Sequence, residues 1–314
     1  MLKVLVTGGF GGLGQHITSY LLEKNNSVTV FDIKNPINEA TAREITKKNK
    51  NIVVNWGDIT KPETFPELAQ FDGIIHMAFI IPPAIDKLPV KVTEKVNING
   101  TKSLIDAAKK QGFKGKFIFA SSVSLFGPTK FRTRDNQLVK PNDPIAPSDI
   151  YTYQKAICEE HLKQSGLRWL ILRISAAPYL KVDLNPKNLR LMRSIPYDQK
   201  FEFVHPKDAA VAFGNAVTAD VENEILIIAG GKKCQLIYNE MLERFLSVFN
   251  LPSPDPRRFT TNFYYLDFYD TSRSQEKLQF QSRTLDDFVR DFTDNLGSQG
   301  EFIKAMAPIA KFFI

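Results

Sequence analysis

Residues 1–14 read MLKVLVTGGFGGLG, and five of the seven positions from Gly8 to Gly14 are glycine. The segment before them, KVLVT, is a short apolar run with β-branched residues, the pattern of a buried strand. The segment after, LGQHITSYLLEKN, places Leu13, Ile17, Tyr20 and Leu21 on one face at helical spacing. A strand, a glycine turn and a helix start make an anion site. Backbone N–H groups at the helix N-terminus point at the ligand, and the helix dipole favours negative charge. Two registers are open: Gly9, Gly11 and Gly14 form G-x-G-x-x-G, whereas Gly8, Gly11 and Gly14, with Thr7 in front, form G-x-x-G-x-x-G.

Reading outward, strand patterns recur at SVTVFD, IVVNWGD, GIIHMA, KFIFASS and RWLILRIS. Long helical patterns lie between them at EKVNINGTKSLIDAAKKQG and DIYTYQKAICEEHLKQSG. Alternating strands and helices predict an α/β protein with a doubly wound parallel sheet of the Rossmann type and helices on both faces. After residue 178 the texture changes to a proline-bearing, loop-rich stretch. FEFVHPKDAAVAFGNAV and EILIIAGG then return to patterns that could rejoin the sheet, and LIYNEMLERFLSVF and TLDDFVRDFTDN read as short helices. The expected division is a dinucleotide-binding domain of residues 1–178 plus 201–233 and a smaller, mainly helical substrate lobe of 179–200 plus 234–314.

At 314 residues the chain can bury a large core, and 43% hydrophobic with 24% charged residues is ordinary for a soluble globular protein. No apolar run approaches the ~18 residues that span a bilayer. The first strand starts almost at Met1, which leaves no room for a leader peptide and predicts a cytoplasmic protein without a membrane partner. The net charge of +7 comes in small clusters with no nucleic-acid module signature, so nucleic acid is not an expected partner; a mildly positive field suits an anionic small molecule. Two cysteines exclude a disulfide framework and fit a reducing compartment, and the four scattered histidines show no metal-ligand spacing.

Asp32 ends the second strand, 18 residues after Gly14. A carboxylate there can accept hydrogen bonds from the ribose hydroxyls of a dinucleotide and repels a 2′-phosphate, so NAD is favoured over NADP; Lys34 keeps NADP open. Asp58, just past the third strand, is placed either to meet the adenine amino group, with Ile59 against the ring, or simply to cap a turn. In YTYQK, Tyr151 and Lys155 are four apart and share a helix face. A nearby ammonium stabilises a phenolate, so such a phenol can exchange a proton with a substrate hydroxyl or carbonyl while hydride moves to or from nicotinamide. Tyr153 lacks this partner, having Ile157 four residues on. With nine tyrosines, about one Tyr-x-x-x-Lys is expected by chance. Position raises its weight: the pair opens the helix after the fifth strand, and ligands bind at the carboxyl ends of such strands.

Taken in order, VTGGFGGLG, FD at 31–32, GDIT, HMAF, NINGT, FIFASSVSLFG, YTYQK, LRIS, FVHPKDAA and DTSRS…LQFQSRTLDDF resemble the extended short-chain dehydrogenase/reductases, the NAD-dependent epimerase/dehydratase group, through nearly the whole chain. The resemblance selects the register of Thr7, Gly8, Gly11 and Gly14 and leaves Gly9 incidental to it. It implies that Tyr151 is the catalytic acid/base, Lys155 its partner and Ser122 the catalytic hydroxyl, with Ser121 and Ser124 as alternatives. It implies pyrophosphate contacts from Gly8, Gly11, Gly12, Leu13 and Gly14, and further dinucleotide contacts from Asp32, Asp58, Ile59, Ala78, Asn97, Tyr151 and Lys155, the lysine holding the nicotinamide ribose. A homodimer through the helices near 91–111 and 150–165 is also implied. Many nucleotide-sugar members carry an asparagine three residues after the arginine of LR; here Ala176 stands there. Arg190, Arg193 or Arg273 could bind a diphosphate instead, and HMAFIIPP lines the expected pocket with Phe79, Ile80 and Ile81. The implied activity is NAD-dependent oxidation or epimerisation at a secondary alcohol or ketone, of a sugar or nucleotide sugar. Reduction of an apolar carbonyl compound and a non-catalytic dinucleotide sensor are the alternatives. Retention of the Tyr/Lys pair argues against the sensor.

Overall fold

The computed structural model describes residues 1–128, 137–180, 192–262, 264–297 and 300. Seven strands form one parallel sheet: β1 (Lys3–Thr7), β2 (Ser27–Asp32), β3 (Ile52–Trp56), β4 (Gly73–His76), β5 (Lys116–Ser122), β6 (Arg168–Ile174) and, as the seventh in the sheet, β8 (Glu224–Ile228). Their spatial order is β3-β2-β1-β4-β5-β6-β8, so the chain reverses direction across the sheet between β1 and β4. In open sheets of this kind the crevice outside the carboxyl ends of the strands at that reversal is the ligand site.

Alternation along β1 explains why helices cover both faces. Val4 and Val6 are fully buried in a core shared with Ile17 and Leu21 of α1 (Gly14–Glu23). Phe213 belongs to the same core and comes from α6 (Pro206–Ala216). Leu5, facing the other way, joins a second core with Phe31, Ile74, Leu104 and Ile105. One residue of register thus divides the strand's apolar surface between two layers. The expected long helix over 91–111 is present with an interruption. It runs as α3 (Val90–Glu94), a π-helical turn over Lys95–Gly100, and α4 (Thr101–Lys110). π-turns of this kind often sit at functional sites, and this one carries Asn97.

EILII rejoins the sheet, but FEF does not. β7 (Lys200–Glu202) pairs antiparallel with β9 (Gln235–Ile237) in a separate two-stranded sheet. The cause is the Glu202 carboxylate, fully buried, which accepts hydrogen bonds from Gly231 N, Gln235 Nε2 and Tyr269 N and so ties β7 to the later chain. The third core forms here. Phe201, Phe203, Tyr238, Phe288 and Phe292 pack with Val123 and Phe126 from the turn after β5, so this core is continuous with the carboxyl end of the sheet. Its helices include α7 (Tyr238–Ser247), α8 (Ser272–Leu278) and α9 (Leu285–Leu296). Helices not expected from the sequence include α2 (Pro36–Lys48), α8 and the one-turn element at 123–126. Among the described residues, no helix is long and apolar enough to cross a membrane. The apolar C-terminal stretch from 301 onward lies outside the described residues.

Candidate active site

The glycine turn is built by steric necessity. Gly8 adopts φ +68°, and a Cβ there would stand 2.8 Å from Ala78 N, on the loop that follows β4. A Cβ on Gly14 would lie 2.1 Å from the carbonyl oxygen of Gly8. The turn is closed by Gly8 N donating to Phe31 O and Gly11 N to Gly8 O, at 2.9 and 3.1 Å. Gly9 has a different duty: its Cβ would strike Val30 and Thr18, so it permits the turn to pack on β2 and α1. Helix α1 opens with no side-chain cap. Its first amides, framed by Gly11, Gly12 and Leu13, are therefore of the kind that receives a phosphate. A cradle that side chains would fill, ending in uncapped amides, fits a dinucleotide.

Asp32 is 9% exposed at the carboxyl end of β2. Its carboxylate accepts from Phe10 N, Ile33 N and the Asn38 amide at 3.0, 2.8 and 3.1 Å, while burial pushes its pKa up. An ionised carboxylate accepts about four hydrogen bonds, which leaves capacity for a ribose hydroxyl. Asp58 caps its own turn, accepting from Thr60 N at 2.9 Å, and Ile59 is buried against Gly100. Ala78 N donates to Thr7 Oγ1 at 3.3 Å, so the β4 loop is fastened to the phosphate turn. Asn97 is fully buried, and its amide clamps Ile80 from both sides: it accepts from Ile80 N at 2.6 Å and donates to Ile80 O at 2.9 Å and to Gln154 Oε1 at 2.7 Å. It therefore holds the Phe79–Ile80 segment, whose Phe79 ring packs against Tyr151 and Lys155.

Helix α5 (Ile150–Lys163) begins in a capping box: Asp149 Oδ1 accepts from Thr152 N, and Thr152 Oγ1 from Asp149 N, at 2.8 and 3.1 Å. This fixes Tyr151 in the first turn. Tyr153 is 57% exposed, so Tyr151 and Lys155 are the inward pair. Ser122 lies beside the Tyr151 phenol and pulls its pKa down. Its neighbour Ser121 points to the opposite face of β5 and donates to Glu159 Oε1 at 2.6 Å, and Ser124 bonds Ser122 itself at 3.0 Å. Strand alternation thus selects Ser122 as the hydroxyl beside Tyr151.

The charges differ from the expectation. Burial pushes the Tyr151 phenol up to about 12, against the lowering pull of Ser122. Burial also pushes Lys155 down to about 7, while Cys158 and Glu159 pull it up. Lys155 Nζ donates to Ala120 O at 2.5 Å and lies 3.5 Å from the Phe79 ring centroid and 4.6 Å from that of Phe119. The ammonium is held by a carbonyl and two aromatic faces, and desolvation outweighs the tuning of the phenol that the spacing alone suggested.

Four supporting residues were missed in the sequence. Arg173 and Glu159, both almost fully buried, form a two-point pair at 3.0 and 2.8 Å, and Arg173 also donates to Pro141 O. Glu159 lies four and eight residues after Lys155 and Tyr151, a helical spacing that could have revealed it. His76 bridges Thr7 and Thr101 through its two ring nitrogens, and burial pushes it down to about 3. Tyr179 places its ring on Gly12. Arg273, by contrast, pairs with Glu224 at the start of β8, the amino end of the sheet, away from the cleft. Arg190 lies outside the described residues.

A family model described as the NAD dependent epimerase/dehydratase family matches residues 4–178. The chain belongs to this NAD dependent epimerase/dehydratase family. It is 27% identical over 164 residues to D-erythronate dehydrogenase of Haemophilus influenzae, across 50% of this chain and 48% of that one. It is 28% identical over 180 residues to a decarboxylating sterol-4-alpha-carboxylate 3-dehydrogenase of Candida albicans, across 54% and 49%. The chain thus spans about half the length of these relatives. Its fold is that of UDP-glucose-4-epimerase from Stenotrophomonas maltophila, solved with NAD and formylated UDP-arabinopyranose. That structure matches with a TM-score of 0.76 at 19% identity, over 96% of this chain and 100% of that one.

Proposed function

We propose that this chain is an NAD-dependent oxidoreductase or epimerase working at a secondary alcohol or ketone of a sugar or sugar nucleotide. The observation that carries the reading is the Tyr151 phenol beside Ser122 at the carboxyl end of β5, with the ammonium of buried Lys155 5.9 Å from its ring centroid. Bound nicotinamide would accept or return the hydride. Tyr151 takes or gives the proton at the substrate oxygen, Ser122 orients that oxygen, and Lys155 supplies positive charge beside them. Gly8, Gly11, Gly12, Leu13 and Gly14 hold the pyrophosphate, and Asp32 the adenosine ribose. Ile59 and Ala78 line the same groove, Asp58 and Asn97 acting through the loops they fasten.

The substrate is proposed to sit against the lobe of 179–200 and 234–314. A second reading, reduction of a more apolar carbonyl compound, is favoured by Phe79 packed against Tyr151 and Lys155, with half-buried Ile80 and exposed Ile81 following it, and by Arg273 lying at the far end of the sheet. A homodimer is supported by exposed apolar side chains gathered on the two helices named for it: Val90 and Val92 on α3, and Ile150, Tyr153 and Ile157 on α5. Both cysteines are buried and free, which suits the reducing cytoplasm.

Tyr151→Phe tests the reading. On a panel of sugar nucleotides, sugar acids and apolar ketones with NAD or NADH, kcat should fall ~10²- to 10⁴-fold with NAD affinity nearly unchanged. Tyr153→Phe should leave kcat as it was. Full activity in Tyr151→Phe would overturn the assignment. Turnover confined to apolar ketones would select the second reading.

A further inference from the structure

Gly12 and Tyr179 are 167 positions apart in the chain and in contact across the cleft. A Cβ built on Gly12 would lie 1.9 Å from Tyr179 Cε1 and under 3 Å from two more atoms of the ring. Gly12 takes no positive φ, so backbone conformation does not require glycine there; the ring does. Tyr179 enters from the chain leaving β6 and is followed by Leu180, which is 5% exposed and belongs to the core of the lobe. The ring therefore reaches from the lobe to the phosphate turn. Its far side is open: the residue is 59% exposed, although its hydroxyl is enclosed enough for burial to raise its pKa. The phenol also lies within electrostatic range of Tyr151. A large aromatic, half in solvent and resting on Gly12 beside the uncapped start of α1, is placed to cover what the amides there bind.

We propose that Tyr179 is a clamp on the bound dinucleotide: its ring covers the pyrophosphate at Gly12, slows cofactor release, and is seated there because residue 12 has no side chain. The lobe that receives substrate thereby also holds the cofactor. This rests on the glycine turn as the dinucleotide site and is independent of the role given to Tyr151.

The test is NADH release from the full chain, followed by stopped-flow fluorescence. Tyr179→Ala should release NADH about tenfold faster, with little change in association, since affinity differences within one site fall mostly on dissociation. Tyr179→Phe should release it at the wild-type rate, because the ring does the covering. Gly12→Ala should also speed release by pushing the ring aside. In a Tyr179→Ala background it should add little, because the two residues act through one contact. Where Tyr179→Ala lowers the melting temperature of the cofactor-free chain, Tyr179→Leu keeps apolar bulk beside Leu180 and carries the same expectation. Release no faster in these variants, tighter NADH binding, or full additivity of the two substitutions would overturn the clamp. Failure of the wild-type chain to bind NADH would overturn the glycine-turn reading and the clamp together, whereas an active Tyr151→Phe would leave the clamp standing.

Discussion

The ammonium of Lys155 lies 3.5 Å from the centroid of the Phe79 ring. A cation over an aromatic face favours its charged form, by ~0.5–2 kcal/mol as desolvation increases, and this works against the burial that pushes Lys155 down to about 7. If carbonyl reduction needs the charged lysine, kcat should fall as pH rises through about 7. Phe79→Leu removes the attraction, lowers the lysine pKa further, and should move that limb to lower pH by roughly 0.4–1.5 units. A pH–kcat profile that does not move would remove Phe79 from this role.

Asp32 should set cofactor choice. Calorimetry should give tighter binding of NAD than of NADP, and Asp32→Asn should narrow the gap by removing the charge that opposes the extra phosphate. The asparagine keeps an acceptor for Phe10 N or Ile33 N, so the turn should survive. Equal affinities in the wild type would contradict the assignment.

The buried pair of Arg173 and Glu159 should be costly to break and cheap to replace. Glu159→Gln leaves a buried guanidinium with half its partner and should cost about 3–5 kcal/mol in urea denaturation. Replacing both residues by Met and Leu should recover most of that loss. Activity should recover less, since Glu159 also holds Ser121, the neighbour of Ser122.

Glu202 should leave a mark on the pH dependence of stability. Burial pushes its folded pKa to about 7, above the ordinary 4.5. The folded state then binds the proton more tightly than the unfolded chain. The stabilisation is complete below about 4.5 and is lost as pH rises through about 7. Glu202→Gln should flatten that decline, read as melting temperature from pH 4 to 8. A parallel curve for the variant would show that Glu202 does not titrate in this window.

Much of this was legible along the chain because the signals are local. KVLVT followed by glycines, strands alternating with helices, and Tyr151 and Lys155 one turn apart all follow from the periods of strand and helix. The parallel sheet, its carboxyl-end site and the choice of Tyr151 over Tyr153 need little more. Helix α2 was readable too, with Asn35 capping and Pro36 opening it, but its weakly apolar face hid it from a search for hydrophobic stripes.

Other features depend on pairings that no local pattern encodes. The residue pattern chooses Ser122 over Ser121 only through the family resemblance; in the structure it is the register of β5 against α5 that turns Ser121 to Glu159 and leaves Ser122 beside Tyr151. FEF resembles a sheet strand but contains Glu202, whose buried carboxylate finds its donors at Gly231, Gln235 and Tyr269. The spacing of Tyr151 and Lys155 predicts a lowered phenol pKa, yet burial, a property of the whole surrounding, raises it. Gly12 reads as one more phosphate glycine until the ring of Tyr179 is seen on it. Periodicity is a property of the chain and can be read from it. Desolvation and contact between distant residues depend on which segments meet, and folding alone brings those segments together.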